Sequence, residues 1–238
     1  MTNDELIDGN TIYRKGHAIK EYYGYQADHL LTQDDLDFRV PIIGGYDGAT
    51  TAQLPGDIRY VDTNGDKVIT TDDRVPLGDQ DPHSVYYGNL SFRWKNLDFS
   101  LLTTYSIGGK VNEAIYSSTM NPFYYGQTFH KHQLRAWTKP GDVTDVPRVT
   151  VGTSSISSDR FLVDASYFSI KNITIGYTIP KKAANYIGMK SVRVYCSMDN
   201  LAIFTHMKGM NPTYSLRGST GFVYTPSRNF VAGLDVKF

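Results

Sequence analysis

The stretch "SVYYGNLSFRWKNLDFSLLTTYSI", residues 84–107, decides what kind of fold this chain can form. Between Ser84 and Trp94 large apolar side chains alternate with polar ones, and the alternation resumes after Lys95 and Asn96. A period of two places the apolar side chains on one face of a strand. The stretch therefore predicts a hairpin of two long strands joined by a tight turn.

Three downstream segments repeat this alternation. They are "SYFSIKNITIGYTIP" (166–180), "SVRVYCSMDNLAIFT" (191–205) and "RNFVAGLDVKF" (228–238). Strands of about ten residues exceed the five or six that are usual in soluble sheets, and they are long enough to cross a bilayer at a tilt. Some connections are tight turns, whereas Lys110 to Asp164 is a long irregular stretch. The pattern predicts an all-β fold, with one more strand expected in "IKEYYGYQADHLL" (19–31).

Composition narrows the function classes. The 238 residues include 24 Lys+Arg and 24 Asp+Glu, so net charge gives no reason to expect a nucleic-acid partner. The single cysteine, Cys196, excludes an internal disulfide and is expected to be a small core or wall residue. No apolar run approaches the length of a membrane helix, and no secretory leader follows Met1.

The segment "DTNGDKVITTDD", residues 62–73, has the oxygen spacing of a calcium loop. Lys67 stands at the sixth place, where glycine is usual, and the flanking residues do not form amphipathic helices. An exposed acidic turn stabilised by Asx hydrogen bonds is the alternative. If calcium binds, the expected ligands are Asp62, Asn64, Asp66, the carbonyl of Val68, Thr70, and Asp73 or Asp72.

Other candidate sites lie in the long irregular stretch. His130 and His132 could share a metal on an extended segment, but no third ligand stands near them, which favours exposed loop histidines. Tyr124, Tyr125 and Trp137 could stack on sugar rings, pack the loop or contact a partner. No nucleophile elbow, phosphate loop or zinc signature occurs, so we expect no enzyme activity.

Several segments, in this order, resemble one family. They are "GDIRYVDTNGDKVITTDDRVPLGDQDP", "SSDRFLVDASYFSIKNITIGYTIP", "RVYCSMDNLAIFT" followed by "KGMNPT", and "GLDVKF". Together they resemble the C-terminal part of the SusC/RagA-type TonB-dependent outer-membrane transporters of Bacteroidetes. "HAIKEYYGYQADHLL" resembles a further family segment, although His17 and Ala18 depart from its pattern. "RAWTKPGDVTDVPRV" resembles a Trp-containing extracellular segment that closes on Pro147 and Arg148.

The resemblance implies C-terminal strands of a large transmembrane antiparallel β-barrel, of about 22 strands in the family, with long extracellular loops. Residues 1–238 are then expected to be the C-terminal barrel segment, with the plug and the TonB-binding segment absent from this chain. The implied partners are a SusD-like surface lipoprotein, TonB, outer-membrane lipid and a glycan or peptide substrate. The implied location is the cell outer membrane, and no cofactor is implied beyond the calcium that the loop spacing suggests.

The last strand carries a second, independent signal. Outer-membrane barrels commonly end on an aromatic residue that is preceded by alternating apolar residues, and the assembly machinery reads that strand. This chain fits the pattern with Phe230, Leu234, Val236 and Phe238.

Two functions follow as hypotheses. In the first, the chain is a barrel segment of a TonB-dependent transporter, with polar strand faces lining the lumen. The loops Asp57 to Gly78 and Lys110 to Asp164 would then contact cargo or the lipoprotein. In the alternative, the chain is a secreted soluble β domain that binds calcium and glycan, with the apolar strand faces forming a sandwich core.

Overall fold

The computed structural model describes residues 4–37, 42–44, 50–51, 54–121, 128–149, 156–207, 211–214 and 226–238. The chain divides into two compact units. The sheet unit comprises Pro82–Gly109, Asp164–Ser215 and Val223–Phe238. The loop unit comprises Met1–Asp81, Lys110–Val163 and Leu216–Phe222.

The sheet unit is one antiparallel five-stranded sheet. Its strands are β10 (Ser84–Trp94), β11 (Leu97–Ile107), β14 (Tyr167–Thr178), β15 (Ser191–Thr205) and β16 (Asn229–Lys237), in that spatial order. β10 and β11 pair from Ser84↔Ile107 to Trp94↔Leu97, which confirms the predicted hairpin. Lys95, in the turn, has φ +54°, a left-handed conformation that closes the tight connection.

The sheet has long connections at one end and shorter ones at the other. The turn at residues 95–96 and the helix α3 (Lys181–Tyr186) join strands at what we call the turn end. Residues 108–166 and 206–228 connect strands at the opposite end, which we call the loop end. The register shifts at Lys171, between the pairs Ile170↔Ala202 and Asn172↔Asp199. Such bulges locally increase the twist of a sheet.

The loop unit is built from short strands. β1 (Glu5–Asp8), β2 (Thr11–Arg14), β3 (Glu21–Gly24) and β9 (Val75–Asp79) form one sheet, and β4 (Ala27–Leu30) pairs with β7 (Ile58–Tyr60). β5 (Ile42–Gly44), β6 (Thr50–Thr51) and β8 (Val68–Ile69) form a third sheet, and β12 (Lys110–Asn112) pairs with β13 (Leu162–Asp164). The helices are α1 (Gln33–Asp37) and α2 (Ala114–Thr119).

Two regions that the sequence analysis interpreted as loops contain short strands and a helix. The segment Asp57 to Gly78 contains β7, β8 and most of β9, and Lys110 to Asp164 contains β12, α2 and β13. The single strand expected in residues 19–31 is two strands, β3 and β4. These elements are too short to show a clear period in the sequence, which is why the pattern did not reveal them.

A small apolar core stabilises the loop unit. Ile58, Tyr60 and Ile69 are almost fully buried, with Tyr25 and Leu30 packed against them. The Tyr25 and Tyr60 rings meet edge to face at 5.9 Å between centroids, a favoured aromatic geometry. Among the described residues, every helix is too short or too polar to span a membrane.

Candidate membrane-facing sheet and loop sites

One face of the five-stranded sheet is apolar across its whole width. Alternation along each strand and the cross-strand register place these side chains in rows. We call this surface the apolar face. Its central row is Leu90, Leu101, Ile173, Met198 and Phe230. The next row toward the turn end is Phe92, Phe99, Ile175, Cys196 and Ala232.

This apolar face is exposed. Leu90 is 58% exposed, Phe92 56% and Phe230 68%. Large apolar side chains are usually removed from water, and a contiguous exposed patch marks a surface that contacts another apolar phase or a partner. The sandwich core that the soluble alternative requires is therefore not formed by this face within the described residues.

Rows that contain aromatic side chains, which we call the aromatic rows, border the apolar face. At the loop end, Tyr86, Tyr105, Phe168 and Phe204 are aligned by the register, and the Tyr105 and Phe168 rings meet at 6.2 Å. At the turn end the row is mixed: Trp94 and Tyr177 are aromatic, and Leu97, Val194 and Leu234 are aliphatic.

The spacing of these rows fits a membrane. Trp94 follows Tyr86 by eight residues, which corresponds to about 26 Å along a strand and about 20 Å along the normal at a tilt of about 40°. The apolar band of an outer-membrane barrel is about 25 Å tall and is flanked by aromatic girdles. The two aromatic rows therefore occupy the positions of the two girdles.

The structure assigns two further side chains to one face of the sheet each. Tyr87 neighbours Tyr86 in sequence but lies on the opposite face, where it is 78% exposed. It therefore does not belong with the girdle residues Tyr86, Trp94 and Tyr105. Cys196 is exposed on the apolar face between Ile175 and Ala232, so it is a wall residue and not a core residue.

Apart from Val192, which the helix α3 covers, the buried side chains in the strands of this sheet are polar and lie on its other face. Thr104, Ser106 and Ser169 are 6%, 4% and 0% exposed. In a soluble sheet the buried face is apolar and the exposed face is polar. This sheet has the reverse distribution, which is the pattern of a barrel whose outside meets lipid and whose inside is polar.

Hydrogen bonds connect polar side chains on the face opposite the apolar face, which we call the inner face. Asn172 Nδ2 donates to Asp199 Oδ1 at 2.6 Å and to Ser197 Oγ at 3.0 Å. Thr174 Oγ1 donates to Asn172 Oδ1 at 3.0 Å. Arg193 donates from Nε and from its terminal nitrogen to the two carboxylate oxygens of Asp98, at 2.9 and 2.6 Å. Polar groups satisfied in this way hold β11, β14 and β15 in register.

In the loop unit, a buried ion pair fixes the segment before β7. Asp57 is 1% exposed and accepts bonds from Arg148 Nε at 2.6 Å and from a terminal Arg148 nitrogen at 3.2 Å. The Arg148 backbone N–H donates to the Gly56 carbonyl at 2.9 Å, and the Trp137 N–H donates to the Val146 carbonyl at 2.9 Å. Gly56 has φ +85°, and a Cβ there would overlap the Trp137 ring. Two segments distant in sequence are thus held together.

A cavity of about 450 Å³ opens beside Trp137. The segment 29–33 forms one wall, and Pro55, Trp137 and the segment 140–144 form the other. Asp142 shapes this second wall by accepting bonds from the Thr138 N–H, the Thr138 hydroxyl and the Lys139 N–H at 2.8 to 3.0 Å. The bonds from Thr138, followed by that from Lys139, lower the pKa of Asp142 below its ordinary value. Trp137 is thus a half-buried wall residue.

The acidic segment 62–73 forms consecutive Asx turns. Asp62 accepts bonds from the Gly65 and Lys67 N–H groups, and Asp66 accepts one from the Val68 N–H, all at 2.7 to 2.8 Å. Burial acts to raise the pKa of Asp62, but the N–H donors of Lys67, Gly65 and Asp66 outweigh it, and the pKa is lowered. Among the residues that the structure describes, no group of three or more His, Cys, Asp or Glu side chains could hold a metal ion.

Asp73 occupies the last place of this segment and is fully buried. Its carboxylate accepts bonds from the Thr63 N–H at 2.8 Å and the Thr70 N–H at 2.7 Å. The Asp73 carboxylate therefore connects the end of the segment to its beginning, with or without a bound cation. Calcium binding by this segment stays a prediction.

His130 and His132 meet each other and one tyrosine. Their ring centroids are 4.3 Å apart, and His132 Nδ1 lies 2.8 Å from the Tyr116 hydroxyl. Both side chains are partly buried, so the expectation of exposed loop histidines is wrong. A short 3-10 helix, Lys131–Arg135, brings the rings together, which replaces the extended segment that the sequence suggested.

Comparisons with known proteins agree with this geometry. No family model matches the chain. TonB-dependent receptor P3 of Formosa agariphila is 30% identical over 95% of this chain and 23% of that protein. TonB-dependent receptor SusC of Bacteroides thetaiotaomicron is 28% identical over 99% of the chain and 21% of SusC.

The chain is a relative of SusC-type TonB-dependent receptors. The solved structure of the RagAB peptide transporter superposes with a TM-score of 0.77 and 22% identity, over 99% of this chain and 24% of that chain. The resemblance inferred from the motifs is confirmed, as is the all-β barrel fold class. The chain spans about a quarter of the length of the curated relatives it matches.

The relationship to TonB-dependent receptors also confirms the predicted location, because such receptors are outer-membrane proteins. The relatives are named receptors and transporters, which agrees with the expectation that the chain is not an enzyme.

Not all predicted site residues come together in one place. Phe230, Leu234, Val236 and Phe238 alternate along and just beyond β16, and their role as an assembly signal stays a prediction. Tyr124 and Tyr125 lie outside the described residues. The sequence reasoning missed the Asp57–Arg148 pair, because two residues so distant along the chain give no local signal.

Proposed function

We propose that this chain forms part of the wall and the extracellular loops of a TonB-dependent outer-membrane transporter that imports glycans, oligosaccharides or peptides. One observation carries the proposal: the sheet exposes its apolar side chains and buries polar ones, with aromatic rows at both borders. A passive wall of this kind needs no catalytic residue. The similarity to receptors of the SusC type supports the same function.

The loop unit is the proposed place of contact with cargo or a partner. Barrels of this class have short periplasmic turns and longer extracellular loops, so the connections at the loop end would face the cell exterior. Trp137 beside its cavity offers a flat ring for stacking on a sugar or on a peptide side chain. The Asp57–Arg148 pair would hold that surface rigid.

The proposed partners act on the whole transporter. A SusD-like surface lipoprotein would cover the extracellular side, and TonB would act through a region outside this chain. Outer-membrane lipid would contact the apolar face. One of the structural neighbours is a peptide transporter by name, whereas the name of SusC specifies no cargo, so glycans and peptides both stay in the proposal.

A deletion strain tests the proposal. The gene for the full-length protein is removed, and growth is compared on defined glycans and on peptides as the sole nutrient. We expect loss of growth on one cargo class, restored by the wild-type gene and dependent on TonB. Recovery of the full-length protein from the medium, soluble without detergent, would contradict the transporter and favour the secreted β domain.

A further inference from the structure

The helix α3 lies on the apolar face of the sheet, at the turn end. Ala184 of this helix is fully buried, and Val192, on the strand against which α3 packs, is 4% exposed. Val192 shares a face with Val194, which is 47% exposed, because alternate residues of a strand point the same way. The helix therefore covers the apolar face only at its border, next to the row that contains Trp94 and Tyr177.

The outer side of α3 is apolar where it meets solvent. Tyr186 is 93% exposed and Ile187, just after the helix, is 55% exposed. An aromatic ring with a polar tip is suited to the depth of lipid headgroups, where one end is apolar and the other is wet. These two side chains are exposed apolar surface at the end of the sheet where α3 lies.

Lysines lie on α3 and at the same end of the sheet as this helix. The Lys190 N–H donates to the Lys237 carbonyl at 2.8 Å, and the Thr178 N–H donates to the Asn96 carbonyl at 2.8 Å, so α3 and the turn at 95–96 lie at the same end of the sheet. The Lys95 ammonium lies 4.9 Å from the centroid of the Trp94 ring. The exposed lysines of this border, which we call the lysine rim, are Lys95, Lys181, Lys182 and Lys190.

Acidic side chains do not neutralise the lysine rim. The segment from Pro180 to Lys190 contains no Asp or Glu. Asp98 is engaged by both nitrogens of Arg193 on the inner face of the sheet, and Asp235 pairs in register with the same arginine. The rim thus has a net positive charge on the side where an apolar membrane surface would end.

We propose that α3 and the lysine rim bind the headgroups of anionic phospholipids in the leaflet at the turn end of the barrel. The inference rests on the proposed function, since it requires the apolar face to contact lipid. Three features together select a lipid over a soluble anion: continuity with the apolar face, the exposed Tyr186 and Ile187, and a cationic border at headgroup depth. A free phosphate ion would interact only with the cationic border.

Native mass spectrometry of the full-length receptor in detergent tests this lipid site. The probes are phosphatidylglycerol and zwitterionic phosphatidylcholine. The test variant is K181Q/K182Q/K190Q, and the matched control K15Q/K20Q/K139Q removes exposed lysines of the loop unit. We expect the test variant to bind phosphatidylglycerol at least about tenfold more weakly, with phosphatidylcholine binding and the control variant unchanged.

Either of two results would overturn the lipid site: equal phosphatidylglycerol affinity of the test variant and the wild type, or an equal loss in the control variant. Heat-modifiable migration on gels verifies that each variant has a folded barrel. A receptor that stays soluble without detergent would instead contradict the proposed function. The two failures are therefore distinguishable.

Discussion

Asp57 shows how one side chain organises a loop. Its carboxylate is buried, accepts two bonds from Arg148, and also accepts the Leu54 N–H at 2.9 Å. A buried carboxylate needs such donors, because the loss of hydration is otherwise uncompensated. The pair thereby joins the start of β7 to the segment that carries Trp137.

Replacing Asp57 by Asn should destabilise the loop unit. The change leaves the Arg148 guanidinium partly buried without its counter-charge, which costs about 3 kcal/mol of unfolding free energy. Pulse proteolysis in urea, followed at residues 128–149 of the full-length receptor, measures the effect. D145N is the control, because the Asp145–Arg135 pair is exposed at 3.3 Å and should contribute less than about 1 kcal/mol. Equal effects of the two variants would contradict this assignment.

Calcium binding by the segment 62–73 has a direct test. The carboxylate oxygens of Asp62 and Asp66 accept N–H groups yet keep a second lone pair that a cation could use. We expect calcium to raise the melting temperature of the full-length receptor by about 3 °C, and D62A/D66A to abolish the shift while D145A keeps it. If the parent protein shows no calcium effect, the metal has no place in this loop.

Asp142 should make the wall of the cavity sensitive to acid. Its pKa is lowered in the folded state by donors from Thr138 and Lys139. The stabilisation is therefore complete above the unfolded value of about 3.9, and it is lost as the pH falls through the folded value. Hydrogen exchange of residues 138–144, compared at pH 6 and pH 3 after correction for intrinsic rates, measures it. D142N should lose the pH-dependent part of the protection. Persistence of that part in D142N would assign it to another group.

Among the elements, the hairpin of β10 and β11 was the best predicted. Its strand limits and turn agree with the alternation of residues 84–107, because long strands with one apolar face give many repeats of the period. The helix α3 was not predicted. Its signals were Pro180 before a short run of helix-forming residues and the absence of alternation, both weak over one turn.

A charge on the apolar face should prevent stable insertion of the barrel. Leu90 is in the central row, where an Arg side chain near the bilayer midplane costs about 2 to 4 kcal/mol. L90R is therefore expected to reduce the folded fraction in lipid, read from heat-modifiable migration and urea unfolding. S91R changes the neighbouring residue on the polar face and should fold normally. Equal folding of both variants would show that the apolar face does not contact lipid.

For the whole molecule, the distribution of polarity is the informative property. A neutral net charge and ordinary composition do not distinguish a soluble sheet from a membrane wall. The position of the buried residues does distinguish them, since Thr104, Ser106 and Ser169 are buried while the apolar rows are exposed. Under the proposed function, the long connections at the loop end would provide the surface for cargo and partners.

The full-length receptor is expected to co-purify with a surface lipoprotein. Gentle detergent extraction of a tagged receptor, followed by mass spectrometry, should recover one SusD-like lipoprotein in comparable amount, because the extracellular loops offer it a large surface. A tagged unrelated outer-membrane protein is the control for lipid-mediated carry-over. Recovery of the lipoprotein in equal amount with that control would contradict a specific partner.

Alternation in the sequence was sufficient to predict the long strands of the sheet and the side chains that share each face, because strand geometry depends on neighbours two residues apart. The membrane class was inferred from the length of these strands and from the resemblance to a family. Other features were visible only in the folded chain. They are the exposure of the apolar face, the position of Tyr86 and not Tyr87 in the girdle, the Asp57–Arg148 pair and the packing of α3 on the apolar face. These features arise from contacts between residues far apart in sequence, and local periodicity carries no information about such contacts.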